Sequence, residues 1–144
     1  MPADRLVLKE GVLFFRADAN YRSKIGIPPR RAKSVLGSYD AARRTLTLVQ
    51  FTLPKGVTDY VNSMWELQKE PFGGDAVNSY NDNGKMGQFY ELESSSPALA
   101  LKPGGSATHT HQTIHLQGDE SQLDEIARAV LNVSLKEIVS AFAK

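Results

Sequence analysis

At Gly118 the hydrophobic pattern changes period, and that change constrains the fold more than any other feature of the chain. Upstream, apolar residues recur at alternate positions between turn signals. Downstream, Leu123, Ile126, Ala127, Val130 and Leu131 keep helical spacing, with Ser121 and Asp124 placed for an N-cap. The signal then repeats. Ser134 and Glu137 have capping-box spacing, and Leu135, Ile138 and Phe142 share a face. The pattern predicts a mainly β chain: seven or eight antiparallel strands up to about residue 118, then two short C-terminal helices within about 121–143. An antiparallel β-sandwich or jelly-roll with the helices over an edge or one face follows from it.

The strands differ in clarity. "RLVLKEGVLFFRAD" holds two apolar runs broken at Gly11, and "SKIGIPPRRAKSVLGSYD", with Gly26 and Pro28-Pro29, reads as an edge strand or loop. "DAARR" reads as a hairpin turn before an alternating strand. There Thr45, Thr47, Val49, Phe51 and Leu53 fall on one face, and Leu46, Leu48, Gln50 and Thr52 on the other. "TDYVNSMWELQ", "FYELESS", "ALALKPG" and the histidine stretch read as further strands, and "EPFGGDAVNSYNDNGKMGQ" as a strand flanked by long loops.

Totals narrow the function classes. A length of 144 residues, 41% of them hydrophobic, suits one domain spanning 1–144. A net charge of +1, from 17 basic and 16 acidic residues, argues against a dedicated nucleic-acid or membrane-surface binder. No apolar run approaches the roughly 20 residues of a bilayer span. "MPADRLVLKEG" has charges where a signal peptide needs apolar residues, which leaves the location open. The absence of cysteine excludes disulfides, thiolate metal sites and cysteine nucleophiles. Phosphate, dinucleotide and acyl-enzyme motifs find no match.

All three histidines, His109, His111 and His115, lie in "GGSATHTHQTIHLQG". On a strand they point one way, with Thr113. His-x-His places two rings at Cα atoms about 7 Å apart, close enough to converge on a metal ion such as copper, iron, manganese or zinc. His115, about 13 Å from His111 along a straight strand, joins them only across a bulge or bend. The stretch equally suits a solvent-facing or sugar-lining polar face, or acid–base chemistry by one histidine, His111 among them.

Other residues offer chemistry. Glu91 and Glu93 share a strand face, where paired carboxylates act as acid and base if their surroundings split their proton affinities. If that strand lies beside the histidine strand, a Glu–His cluster results; otherwise the pair is a solvated stripe. Trp65 reads as a core anchor or a stacking platform for a sugar ring. Tyr80 and Asp82 in "SYNDNG" offer loop groups for the same ligand, or plain turn chemistry. Arg22, Lys24, Arg30, Arg31 and Lys33 suit a carboxylate partner or a solvated loop.

The runs "DYVNSMWELQKEPFGGDAVNSYNDNG", "GQFYELESSSPALALKPGGSATHTHQTIHLQG" and "LDEIARAVLNVSLKEI" together resemble the C-terminal part of an uncharacterised bacterial family with a galactose-mutarotase-like β-supersandwich. The resemblance implies that fold and a carbohydrate partner. It implies a base role for Glu91 or Glu93, followed by "LKPG" and a Thr-rich strand. The earlier histidine that serves mutarotases as the acid has no counterpart, since no histidine precedes His109. "PGGSATHTHQTIH" is also similar to the first cupin motif, with His115 where cupins carry glutamate, and no histidine follows for the second motif. Three functions thus stand side by side. The first is a carbohydrate-active or carbohydrate-binding β-sandwich. The second is a small metalloprotein, such as an oxidoreductase acting on saccharides, with its metal on His109, His111 and His115. The third is a structural module. If the chain is half of a larger sandwich, its exposed sheet edge predicts a homodimer.

Overall fold

The computed structural model describes residues 1–64 and 66–143. These form eight strands: β1 (Leu6–Lys9), β2 (Val12–Phe15), β3 (Ser23–Ile27), β4 (Val35–Asp40), β5 (Thr45–Phe51), β6 (Val77–Asn81), β7 (Tyr90–Ser94) and β8 (His111–Gln117). Two helices follow, α1 (Glu120–Leu131) and α2 (Leu135–Ser140). The fold is mainly β, every strand pairing is antiparallel, and the helices close the chain. The strands make a two-stranded ribbon, β1-β2, and two three-stranded sheets ordered β3-β6-β7 and β4-β5-β8.

The central strand β5 shows how the alternation becomes structure. Leu46 and Leu48 are buried on one face against Leu123, Ala127 and Leu135, flanked by Ile114, Leu116, Ile126, Leu131 and Ile138. The helices therefore cover one face of β4-β5-β8. On the other face Thr47, Val49 and Phe51 are also buried, while Gln50, at the end of the Leu46–Leu48 face, is exposed. The Asp40–Thr45 pair closes the β4–β5 hairpin, with Arg44 at positive φ in the turn and Asp40 accepting from the Arg43 backbone N–H. The α2 capping box forms as predicted: Ser134 and Glu137 satisfy each other's backbone N–H. At α1 the N-cap is Asp119, not Ser121, and Asp124 serves elsewhere. Its carboxylate accepts from the Leu135 backbone N–H at 2.7 Å and from Arg128, which ties the two helices together.

The two three-stranded sheets meet through β7. Tyr90 lies 2.7 Å from Ser38 of β4, and Ser94 reaches the histidine stretch beside β8. The ribbon docks separately: buried Arg5 pairs with Asp18 through both guanidinium arms, and Arg16 lies 4.6 Å over the Phe142 ring.

Three predicted strands are corrected. "SKIGIPPRRAKSVLGSYD" is two strands, β3 and β4, in different sheets, because Pro28-Pro29 turns the chain between them. Residues 61–64 and 66–72 form a loop. It is closed by a single parallel bridge, Tyr60 to Gly73, and by backbone bonds such as Asn62 N–H to Pro71. The close approach requires glycine, since a Cβ on Gly74 would sit 2.1 Å from the Val61 carbonyl oxygen. "ALALKPG" has no strand partner and leaves Leu99 and Leu101 half exposed. Alternation makes a strand only where neighbouring side chains pack against it.

Candidate functional site

The buried central strand β6 sets out a polar surface. Its register aligns two rows on one face of β3-β6-β7: Gly26, Asn78 and Glu93, then Lys24, Tyr80 and Glu91. Side chains alternate, so Leu92 and Ser94 take the opposite face, toward the second sheet. Lys24 donates to Glu93 Oε2 at 3.0 Å. The other oxygen, Oε1, is buried without a protein partner. Glu91 is exposed at the rim. Partial burial raises its proton affinity above the usual carboxylate range, the charge and hydrogen bonding of Glu93 raise it further, and Lys24 only partly offsets them. Asp75 joins the same face: its carboxylate lies over Gly26, where a Cβ would meet Oδ2 at 1.8 Å. Desolvation raises Asp75 as well, against the pull of Lys24.

The surface therefore combines three carboxyl groups, one ammonium and an amide. Two of the carboxyls, Glu91 and Asp75, have raised proton affinity, and the third, Glu93, is held by a lysine. A proton donor and a proton acceptor on one strand is the arrangement that acid–base chemistry at a hydroxyl needs. The same groups match the hydrogen-bonding pattern of a polyol.

Tyr80 and Asp82 differ from the expectation of an open loop. Tyr80 and Asn81 belong to β6, and Asp82 follows it at 1% exposure. Tyr80 donates to Asp82 at 2.7 Å and accepts from Arg22 at 3.2 Å. Burial would raise Asp82, but hydrogen bonds from Tyr80 and from the backbone of Met86, Gly84 and Asn83 outweigh it and lower the acid. Asn81, fully buried, bonds Ala19 and Tyr21 and pins the segment leading to β3. Tyr80 and Asp82 are thus buried, hydrogen-bonded members of the sheet end, and Asn81 braces it from the opposite face. Trp65 lies outside the described residues. The loop of residues 61–64 and 66–72 carries the exposed Met64 and Leu67 around a hollow of about 430 Å³.

The histidines sit at the junction of the two sheets. The predicted strand begins two residues late, at His111, so His109 precedes it. His109 Nε2 and His111 Nδ1 lie 2.9 and 2.7 Å from the single oxygen of Ser94. His111 Nε2 is 3.2 Å from Thr113, and the His109 ring packs 6.2 Å from Phe51. His115 is instead paired with Thr47, at 3.0 Å. Among the described residues no three His, Asp or Glu side chains stand close enough to hold a metal ion together.

The structure thus brings Glu91 to Glu93, and His109 to His111, but the two pairs do not form one cluster. The glutamate strand does face the histidine stretch, through Ser94, while Glu91 and Glu93 leave from the other face. Sequence reasoning left out Ser94, Asp75 and Asn78. Ser94 was legible as the position of opposite parity to Glu93. Asp75 follows "FGG" with no periodic signal, and the room that Gly26 makes for it appears only in three dimensions. Of the basic set, Lys24 meets a carboxylate, and Arg30, Arg31 and Lys33 are exposed.

No helix among the described residues is long and apolar enough to cross a membrane. No curated protein and no solved structure matches the chain. A family model does match, over residues 1–142, so the chain belongs to the family of unknown function DUF6786.

Proposed function

We propose that this protein binds carbohydrate on the polar face of the β3-β6-β7 sheet, with Glu93 and Lys24 at the centre of the site and Glu91 at its open rim. The observation that carries the reading is the state of Glu93. One oxygen is held by Lys24; the other is buried and has no donor while Glu91 is ionised. A buried acceptor without a donor costs on the order of 1–3 kcal/mol. A sugar hydroxyl is a neutral donor of the right size to remove that cost. Asn78 and Asp75 beside it extend the pattern to several hydroxyls, and the resemblance to mutarotase-like chains favours the same ligand class. The raised Glu91 next to Glu93 further supports proton transfer at an anomeric hydroxyl, which is the carbohydrate-active form of the reading.

Titration of the labelled protein with neutral mono- and oligosaccharides, followed by nuclear magnetic resonance, tests it. Saturable shifts are expected at Lys24, Asn78, Glu91 and Glu93. Glu93→Gln and Lys24→Met should each weaken binding roughly tenfold or more, the value of one charge-assisted hydrogen bond. His111→Ala should leave it unchanged. Exchange between the anomers of a bound reducing sugar would mark catalysis. If no saccharide shifts this face, or Glu93→Gln binds as well as the native chain, the reading fails.

A further inference from the structure

His109 and His111 do something the carbohydrate face does not use. One nitrogen of each lies within a hydrogen-bond length of the same point, the Ser94 oxygen. A serine has one proton, so it satisfies only one imidazole acceptor at a time; the other imidazole must turn its own N–H inward. Both nitrogens are satisfied as lone-pair donors at once by a cation placed between them. The surroundings suit that use. His111 is tethered through its second nitrogen to Thr113, and the half-buried His109 ring is fixed by packing against Phe51 alone, its Nδ1 being buried without a partner. His111 is exposed, which leaves a path from solvent.

We infer that His109 Nε2 and His111 Nδ1 form a two-histidine site for a divalent transition-metal ion at Ser94, with His115 outside it. The donor set decides the class of ion. Two imidazoles with no thiolate and no clustered carboxylate select copper(II), nickel(II) or zinc(II) over magnesium or calcium, with copper(II) bound most tightly. The remaining coordination positions go to water, so the site is open. It differs from the three-histidine arrangement that spacing suggests, because Thr47 holds His115.

The test is titration of the untagged full chain with copper(II), followed by electron paramagnetic resonance. The expected result is one bound ion whose hyperfine pattern reports two imidazole nitrogens. His111→Ala and His109→Gln should each weaken uptake at least tenfold, while His115→Ala leaves it unchanged. Thr113→Val, which frees the His111 ring, should weaken it about tenfold. Circular dichroism checks that each variant is folded. The nitrogen count in the native chain stands whether or not a variant folds. A spectrum without two imidazole nitrogens, uptake retained by the folded His109→Gln/His111→Ala chain, or equal loss on His115→Ala would overturn the inference.

Discussion

Beneath α1 and α2 the sheet β4-β5-β8 buries Leu46 and Leu48 against Leu123, Ala127 and Leu135; across the molecule, one face of β3-β6-β7 carries Lys24, Asp75, Glu91 and Glu93. The first region has its demands met: apolar groups touch apolar groups. The second keeps a buried oxygen unmatched and crowds carboxyl groups whose proton affinities rise as a result. Folding alone gains nothing from that crowding. Where local rules are broken with no compensating gain in the same structure, a ligand is the natural recipient. The contrast assigns stability to one side of the molecule and recognition to the other, and it can be attacked from both sides.

The largest expected effect is on the helix-covered side. Leu46 has no exposed surface, and its neighbours come from two helices and a second strand. Leu46→Ala should cost about 3 kcal/mol, from lost transfer energy plus the cavity left behind. Urea unfolding measures it. A loss below about 1 kcal/mol would mean that the helices are loosely held, and the contrast would weaken. Saccharide affinity of the fraction that remains folded should stay as in the native chain.

Next comes a charged pair whose carboxylate, unlike that of Glu93, has both oxygens matched. Burial alone would raise Asp18, but hydrogen bonds from Arg5 and the Asn20 backbone, with the Arg5 charge, bring it down to about 2. A depressed acid contributes stability that is present above the ordinary value near 3.8 and lost as pH falls toward 2. Asp18→Asn leaves Arg5, only 7% exposed, without its counter-charge. The cost at neutral pH should be about 2 kcal/mol. It should shrink to nothing as pH approaches 2, as thermal unfolding across that range would report. A pH-independent cost would show that the pair acts through packing.

The same comparison explains what could be read from the sequence. The period change at Gly118, the two faces of β5 and the Ser134–Glu137 box were legible because each is a local pattern with one physical meaning. The strand carrying Glu91 and Glu93 was legible, and so was their shared face. Which way that face points was not, because parity names two sides of a strand without saying which one meets the next sheet. Ser94 rather than Glu93 meets the histidines for that reason. Residues 61–64 and 66–72 were misread because backbone bonds to Pro71 and Phe72 and the close-packed Gly74 close the segment as a loop. Asp75 was missed because its place depends on the missing side chain of Gly26, two strands' worth of pairing away in sequence.

The smallest effect carries the opposite sign to Asp18 and bears most directly on function. The folded chain raises Glu91, chiefly by desolvation and then by Glu93, so the folded state holds its proton more tightly than the unfolded one. Such a group opposes folding once pH exceeds its folded value, and the opposition vanishes below the ordinary value of 4.5. Glu91→Gln imitates the protonated form. It should therefore raise the melting temperature slightly at pH 7 and leave it unchanged near pH 3, the reverse of the Asp18→Asn profile. Because Glu91 is exposed and water screens its charge, the gain is small. If the variant is destabilised at pH 7, Glu91 is held by favourable contacts, and the polar face is a structural surface like the helix-covered one. If it is stabilised and loses anomer exchange while still binding sugar, the native glutamate is retained at the expense of stability, which is the pattern of a residue that serves a ligand.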